Sequence, residues 1–391
     1  MRTGALSVHA AVAGVFFALG LGVGLWGGAA GAILTRAGVD PASFGVILTV
    51  YTGVYLMAMS AGGALAHRFG PPRVLTVSAG LFGATLCGLL DAGSGPTVAG
   101  FLLASGLFGG VVDVTMNAEG ARIERLRGKP VLARLHASAS AGIALGAILG
   151  SLLAASVAPW VAGLLALASL AGAGLAYDRA ARREPAPPQA PAAPHAARGL
   201  SFTPALIGLG LVIGVSVAAE TAATVWSSLL LRDEAPRLAA IAGLGAGFFA
   251  ICQATLRFNA DIIRLRISDQ RIIVVSFAIA TLGFTLAAAD VGFAASVAGF
   301  ALIGFGTGAI VPCSYALAAR QSPGRPAVGL ASASLISTLT RLPAPLATGA
   351  IAEHFSLPAA FGAFALALAA AGLGMFLFGP DRGEASFGGK E

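Results

Sequence analysis

Charge is scarce in this chain. Of 391 residues only 10% are Asp, Glu, Lys or Arg, 57% are hydrophobic, and mean hydropathy is +0.86. A soluble domain carries roughly 25% charged residues, because its surface must face water. A chain this poor in charge must turn most of its surface to lipid, which excludes a soluble enzyme, a nucleic-acid-binding protein and a disordered chain. Cysteine is scarce as well: Cys87, Cys252 and Cys313 sit in apolar runs, and they suit small packing residues better than a disulfide framework or a metal site. There is no glycine-rich phosphate loop ending in lysine, no metal-ligand cluster and no nucleophile–base pairing. The sequence therefore points away from catalysis and ATP hydrolysis, and calls for no cofactor. Short alternating segments of the kind that build a membrane β-barrel are also lacking.

What remains is long apolar runs. A helix needs about 20 mostly apolar residues to cross the hydrocarbon core. Twelve such runs fall near 10–33, 43–66, 74–92, 96–120, 135–157, 159–177, 204–230, 237–260, 272–290, 292–319, 329–352 and 357–379. The fold class expected is thus all-α, with twelve transmembrane helices. The first run is too long for a signal-peptide core. Between the sixth and seventh spans lies an extended polar stretch, rich in Arg, Pro and Ala, which suits a semi-rigid linker. It divides the chain into a bundle over 1–177, a linker over 178–203 and a second bundle over 204–391.

Sidedness follows from lysine and arginine. With the N-terminus inside, 20 of the 24 basic residues fall in cytoplasmic segments, three (Arg36, Arg232, Arg237) fall outside, and Arg341 lies within a span. Both termini and the linker are expected to be cytoplasmic. The excess of +7 then needs no nucleic acid to explain it; the expected surroundings are a lipid bilayer, the bacterial inner membrane, with the chain acting as a monomer. The halves also repeat. Ala137–Ser140 of span five recurs as Ala331–Ser334 of span eleven, an offset of 194 that also carries His67 onto Asp261. Parallel repeats of this kind place a substrate site between the halves, near the midplane.

The loop after span two reads Gly63-Ala-Leu65-Ala-His67-Arg68-Phe69-Gly70-Pro-Pro-Arg73. It resembles the G-x-L-x-D-R-x-G-x-R signature of the major facilitator superfamily, with His67 where the family has aspartate. A weaker second copy, Arg257-Phe-Asn-Ala-Asp261 followed by Arg264, retains the acid. Asp113-Val-Thr-Met-Asn117, Leu135-His136, and Glu220 with Trp226-Ser227 look like the MosC-like branch, although Val225 stands where that branch has a second acid and Arg341-Leu-Pro-Ala-Pro345 departs from its pattern. The resemblance covers essentially the whole chain. It implies two six-helix bundles around a central cavity, with the signature residues forming a gate that holds one state closed. Histidine at the first acid position weakens the N-terminal copy, unless His67 is simply an interfacial polar residue.

Ionisable residues inside spans are costly, about 2.5–3.5 kcal/mol at a helix centre, and so mark candidate sites. Asp113 and Asn117 stand one turn apart on one face of span four. They suit a polar stripe that binds a hydroxylated solute or relays a proton, or else an interhelical clamp. Glu220 and Arg341 lie mid-span in seven and eleven, neighbours in the resembled fold. A Glu220–Arg341 pair is expected, binding substrate or a proton, or holding the helices in register. Trp26 and Trp226 offer apolar faces to a ring, or serve packing. Ser138, Gly142, Gly146 and Gly150 form a small-residue ridge on span five. The function expected is secondary transport of a small sugar-, polyol- or amino-sugar-like solute by alternating access, driven by a proton gradient with Asp113 as carrier. The alternatives are an efflux carrier for drugs or metabolites, and a non-transporting membrane partner on the same scaffold.

Overall fold

The computed structural model describes residues 7–128, 131–156, 160–183 and 199–380, apart from the side chain of Asp261. The linker expected over 178–203 falls largely outside the described residues, as do the two ends of the chain. The described residues are helical almost throughout, as lipid demands: with no water to pair with, backbone N–H and C=O groups must satisfy one another within each span.

The first six spans are uninterrupted helices: α1 (Val8–Ala37), α2 (Pro41–Phe69), α3 (Pro71–Leu90), α4 (Gly95–Arg127), α5 (Leu132–Ala154) and α6 (Trp160–Ala181). The second six are not. Span seven is α7 (Pro204–Val225) and α8 (Ser227–Glu234), and span eight is a 3₁₀ turn (Pro236–Ile241) leading into α9 (Leu244–Arg264). Span nine is α10 (Asp269–Ala288), span ten α11 (Phe293–Thr307) and α12 (Ile310–Arg320), span eleven α13 (Pro326–Arg341) and α14 (Ala344–His354), and span twelve α15 (Leu357–Phe378). Ten of these spans are long and apolar enough to cross a bilayer on composition alone. The two that fall short are spans eight and eleven, which carry Arg257 and Arg341.

Helix ends follow local chemistry. Ser7, Asp40, Thr203, Ser268 and Ser356 each accept a hydrogen bond from a backbone N–H three residues on. Two bonds from Ser43 hold the Asp40 carboxyl below its usual range. Gly70, at φ +84°, closes α2 through its N–H to the Ala66 carbonyl and opens α3 at once. The signature glycine is there because a side chain is strained in that conformation. Pro343 interrupts span eleven: it lacks the N–H that would continue the ladder.

Within the first bundle α1 packs on α5, α2 on α4 and α3 on α6; within the second, α10 packs on α11 and α15, and α7 on α13. The ridge on α5 meets a matching one on α1. A Cβ on Gly20, Gly24 or Gly28 would strike the backbone of Ala139, Ile143 or Ala147, and one on Gly142, Gly146 or Gly150 would strike that of Phe17, Leu21 or Leu25. The two bundles meet mainly at one end, that of the Gly38–Val39 turn. Gly27 abuts Thr224, Gly45 abuts Pro345 and Gly349, and Gly243 abuts Ala147. Ser228 donates to the Gly27 carbonyl at 2.7 Å and accepts from Gly31 N–H at 3.4 Å. Phe44 is wedged between Trp26 and Trp226, with ring centroids 6.2 and 4.8 Å away. No other hydrogen bond joins the bundles among the described residues.

Candidate functional site

Below that closed end the bundles enclose a cavity of 420 Å³, within the size range of small-molecule sites. The first bundle contributes Trp26, Tyr51, Tyr55, Asp113 and His136; the second contributes Glu220, Gln253, Arg257 and Arg341. Three of the ionisable residues expected from sequence, Asp113, Glu220 and Arg341, therefore line one space.

Their pairing differs from expectation. Glu220 bonds Arg257, not Arg341: Arg257 Nη2 donates to Glu220 Oε2 at 3.0 Å. Arg257 also donates from Nε to the carbonyl of Gly308, at the interruption between α11 and α12, at 3.4 Å. Arg257 thus belongs to the cavity and not to the gate, because α9 continues to Arg264 and leaves it about two turns inside the helix. The other Glu220 oxygen, Oε1, is buried without a partner, and so is Arg341 Nε. Arg341 makes no ion pair among the described residues.

Asp113 accepts from Asn117 Nδ2 at 2.8 Å, and the same amide reaches the Asp113 carbonyl at 2.9 Å. Asn117 thus orients the carboxylate and does not itself line the cavity. The Tyr55 hydroxyl and the Arg341 guanidinium face Asp113 from the other sides. Trp26 reaches the cavity wall. Trp226, only 1% exposed, does not; it borders a small adjoining pocket with Arg341, Thr52 and Thr221 and otherwise serves the aromatic wedge. His136 stacks edge-on against Phe16 at 5.2 Å. Tyr51, Tyr55, His136 and Gln253 went unassigned from sequence, although Tyr51 and Tyr55 stand four apart on one helix face.

The residues expected to form a gate are less connected. Gly63, His67, Arg68 and Arg73 are exposed, and Arg68 lies 5.2 Å from the ring of Phe69. Asp261 lies within α9 and not in a loop; its side chain is outside the described residues. Arg264 bonds the buried Asp269 at 2.7 Å, and Arg320 bonds the same carboxylate at 2.8 Å. That cluster ties α9, α10 and α12 together at their ends, and Asp269 had drawn no assignment. In the first bundle, Glu119 pairs with Arg122 at 2.9 Å, and Glu124 accepts from the N–H groups of Val131 and Leu132.

A cavity lined with charges from two helical bundles is a carrier's architecture, and comparison with known proteins agrees. The chain is 27% identical to an uncharacterised MFS-type transporter of Yersinia pestis, over 90% of its length and 91% of the relative's. It is 28% identical to membrane protein MosC of Rhizobium meliloti, over 89% and 84%. Its fold matches the crystal structure of nucleoside transporter NupG with a TM-score of 0.74 at 13% identity, covering 95% of this chain and all of that one. It also matches a D-xylose–proton symporter with a TM-score of 0.70 at 14% identity, covering 95% and 97%. The family model of the Major Facilitator Superfamily matches residues 12–251, and the chain belongs to that superfamily.

Proposed function

We propose that this protein carries a small hydroxylated solute, sugar-, polyol- or amino-sugar-like, across the bacterial inner membrane by alternating access coupled to protons. The observation that carries this reading is the seam cavity, in which an acid from one bundle faces bases from the other, so that any rocking of the halves changes the surroundings of all four charges. With the basic loops cytoplasmic, the closed end faces outward and this conformation faces inward. Asp113 is the proton carrier: it sits on the bundle opposite Arg257 and Arg341, so its electrostatic surroundings change most as the halves move. Glu220, whose Oε1 is free to accept a hydroxyl, contacts substrate.

Reconstitution with solute counterflow over a panel of sugars, polyols, amino sugars, sugar acids and hydrophobic cations tests the reading. Asp113→Asn should abolish pH-driven accumulation while leaving energy-independent counterflow measurable. If Asp113→Asn still accumulates solute in a pH-dependent way, the carboxylate is a packing group and the coupling lies elsewhere. No counterflow with any compound would refute transport of this class.

A further inference from the structure

Of the four charges in the cavity, Glu220 and Arg257 form an ion pair, whereas Asp113 and Arg341 face each other without one. Glu220 and Arg257 neutralise each other at 3.0 Å. Asp113 is held by Asn117 at 2.8 Å and faced by Tyr55. Arg341 has no ion pair among the described residues, and its Nε is buried without an acceptor. Arg341 faces the Asp113 carboxylate across the cavity without bonding it, so once Asp113 takes a proton the guanidinium has no anion, and in membrane helices such a charge pairs or marks a ligand path. Arg341 is moreover the last residue of α13, where the chain breaks at Leu342 and Pro343 before α14 begins. The 11-residue α14 directs the positive end of its dipole to the same corner, and that end adds to the guanidinium's pull on an anion.

We infer that the transported solute carries a carboxylate, which Arg341 binds: within the hydroxylated class, a polyhydroxylated acid in preference to a neutral or amino sugar. The inference rests on the proposed function, in which Asp113 takes the coupling proton. The charges of the cavity then favour one class of solute. With Asp113 unprotonated and His136, which also lines the space, uncharged, Asp113 and Glu220 balance Arg257 and Arg341 and the empty cavity is neutral. Loaded with a proton alone, Asp113 is neutral and Arg341 leaves one uncompensated positive charge. A monoanion cancels it. The empty cavity and the cavity holding proton plus monoanion are then both neutral, so neither form carries net charge through the bilayer when the bundles rock. A proton with a neutral sugar would have to cross as a cation, and a proton with an amine as a double cation. Hydroxyl partners for the rest of such a solute are at hand in Thr52, Thr221, Tyr51 and the free Oε1 of Glu220.

The experiment compares a hexuronate and an aldonate with the parent hexose, a hexitol and an aminohexose as competitors for counterflow in proteoliposomes of the full chain. The acids should compete at least about tenfold better, as a guanidinium–carboxylate bond requires. Arg341→Gln should bring the acids down to the level of the neutral sugars, and Arg341→Lys should keep part of the preference, which guards against a variant that fails to fold. Acid uptake driven by a pH gradient should also be indifferent to an imposed membrane potential of either sign. Equal or better competition by the hexitol, hexose or aminohexose, or potential-dependent acid uptake, would overturn the inference and leave transport standing. Absence of counterflow with every compound would instead remove the transport reading, and this inference with it.

Discussion

The Glu220–Arg257 pair ties α7 to α9 in the second bundle, and a double-mutant cycle can isolate it. At 3.0 Å, two unit charges attract by about 1.4 kcal/mol in water and about 5.5 kcal/mol at an effective dielectric of about 20. The side chains are 18% and 26% exposed, to the cavity, so the pair lies between those limits, and we expect a coupling of about 2 kcal/mol. Glu220→Gln and Arg257→Gln should each destabilise by about 2–3 kcal/mol, because each leaves a desolvated charge behind. The double variant should then cost about 2–4 kcal/mol, about 2 kcal/mol less than the sum of the two single variants. The assay is equilibrium unfolding by SDS in mixed micelles, followed by tryptophan fluorescence; Trp226, fully buried in the aromatic wedge, is the reporter. The control is Glu220→Gln with Arg341→Gln, which should be additive within about 0.5 kcal/mol. A coupling of Glu220 to Arg341 as large as that to Arg257 would refute the pairing and restore the one expected from sequence.

Three further outcomes follow from the structure. Gly146→Leu, which drives a side chain into the α1 backbone at Leu21 and Leu25, should cost about 3 kcal/mol or more, seen as lost folded yield in size-exclusion chromatography, whereas Gly14→Leu, with nothing within 4 Å, should be tolerated. Asp269→Asn removes the negative charge, and one of the two acceptor oxygens, that Arg264 and Arg320 share; it should cost about 1–2 kcal/mol, the exposure of Arg320 limiting its share, in the same SDS titration. Cysteines placed at the exposed positions His67 and Asp233 should label from opposite faces of the membrane, His67 from the cytoplasm; labelling from a single face would break the span assignment.

The sequence disclosed the spans because lipid leaves few alternatives: an apolar run of the right length has to be a helix, and the runs read from hydropathy match the helices to within several residues. It disclosed the glycine ridge on α5 for a similar reason, since small residues every four positions serve close approach. The partner of Glu220 was hidden by a helix end. A span over 237–260 leaves Arg257 one turn from its end, in the second copy of the signature; α9 runs on to Arg264, and those few residues carry Arg257 deeper, into the cavity. Asp269 was hidden by the opposite habit. A carboxylate just after a loop reads as exposed, yet the two arginines that cover it come from helix ends 5 and 51 residues away in sequence. The break at Trp226 carries no proline and no local signal; that at Pro343 has the proline, yet the apolar run over 329–352 reads as one span.

The α1–α5 contact has a mechanical consequence. Glycines meet backbone there on both sides, so few side-chain rotamers can yield between the two helices, and they must travel as one stiff member. α1 is 30 residues long, a lever of about 45 Å. Its outer half holds both Trp26, at the cavity wall, and Gly27 and Gly31, which touch Thr224 and Ser228 of the opposite bundle. Turned by about 10° about its inner end, such a lever moves Trp26, about 27 Å along it, by about 5 Å, enough to part the aromatic wedge around Phe44. The stiffness of one glycine-lined seam thereby converts a small tilt into a change in which side of the membrane the cavity meets.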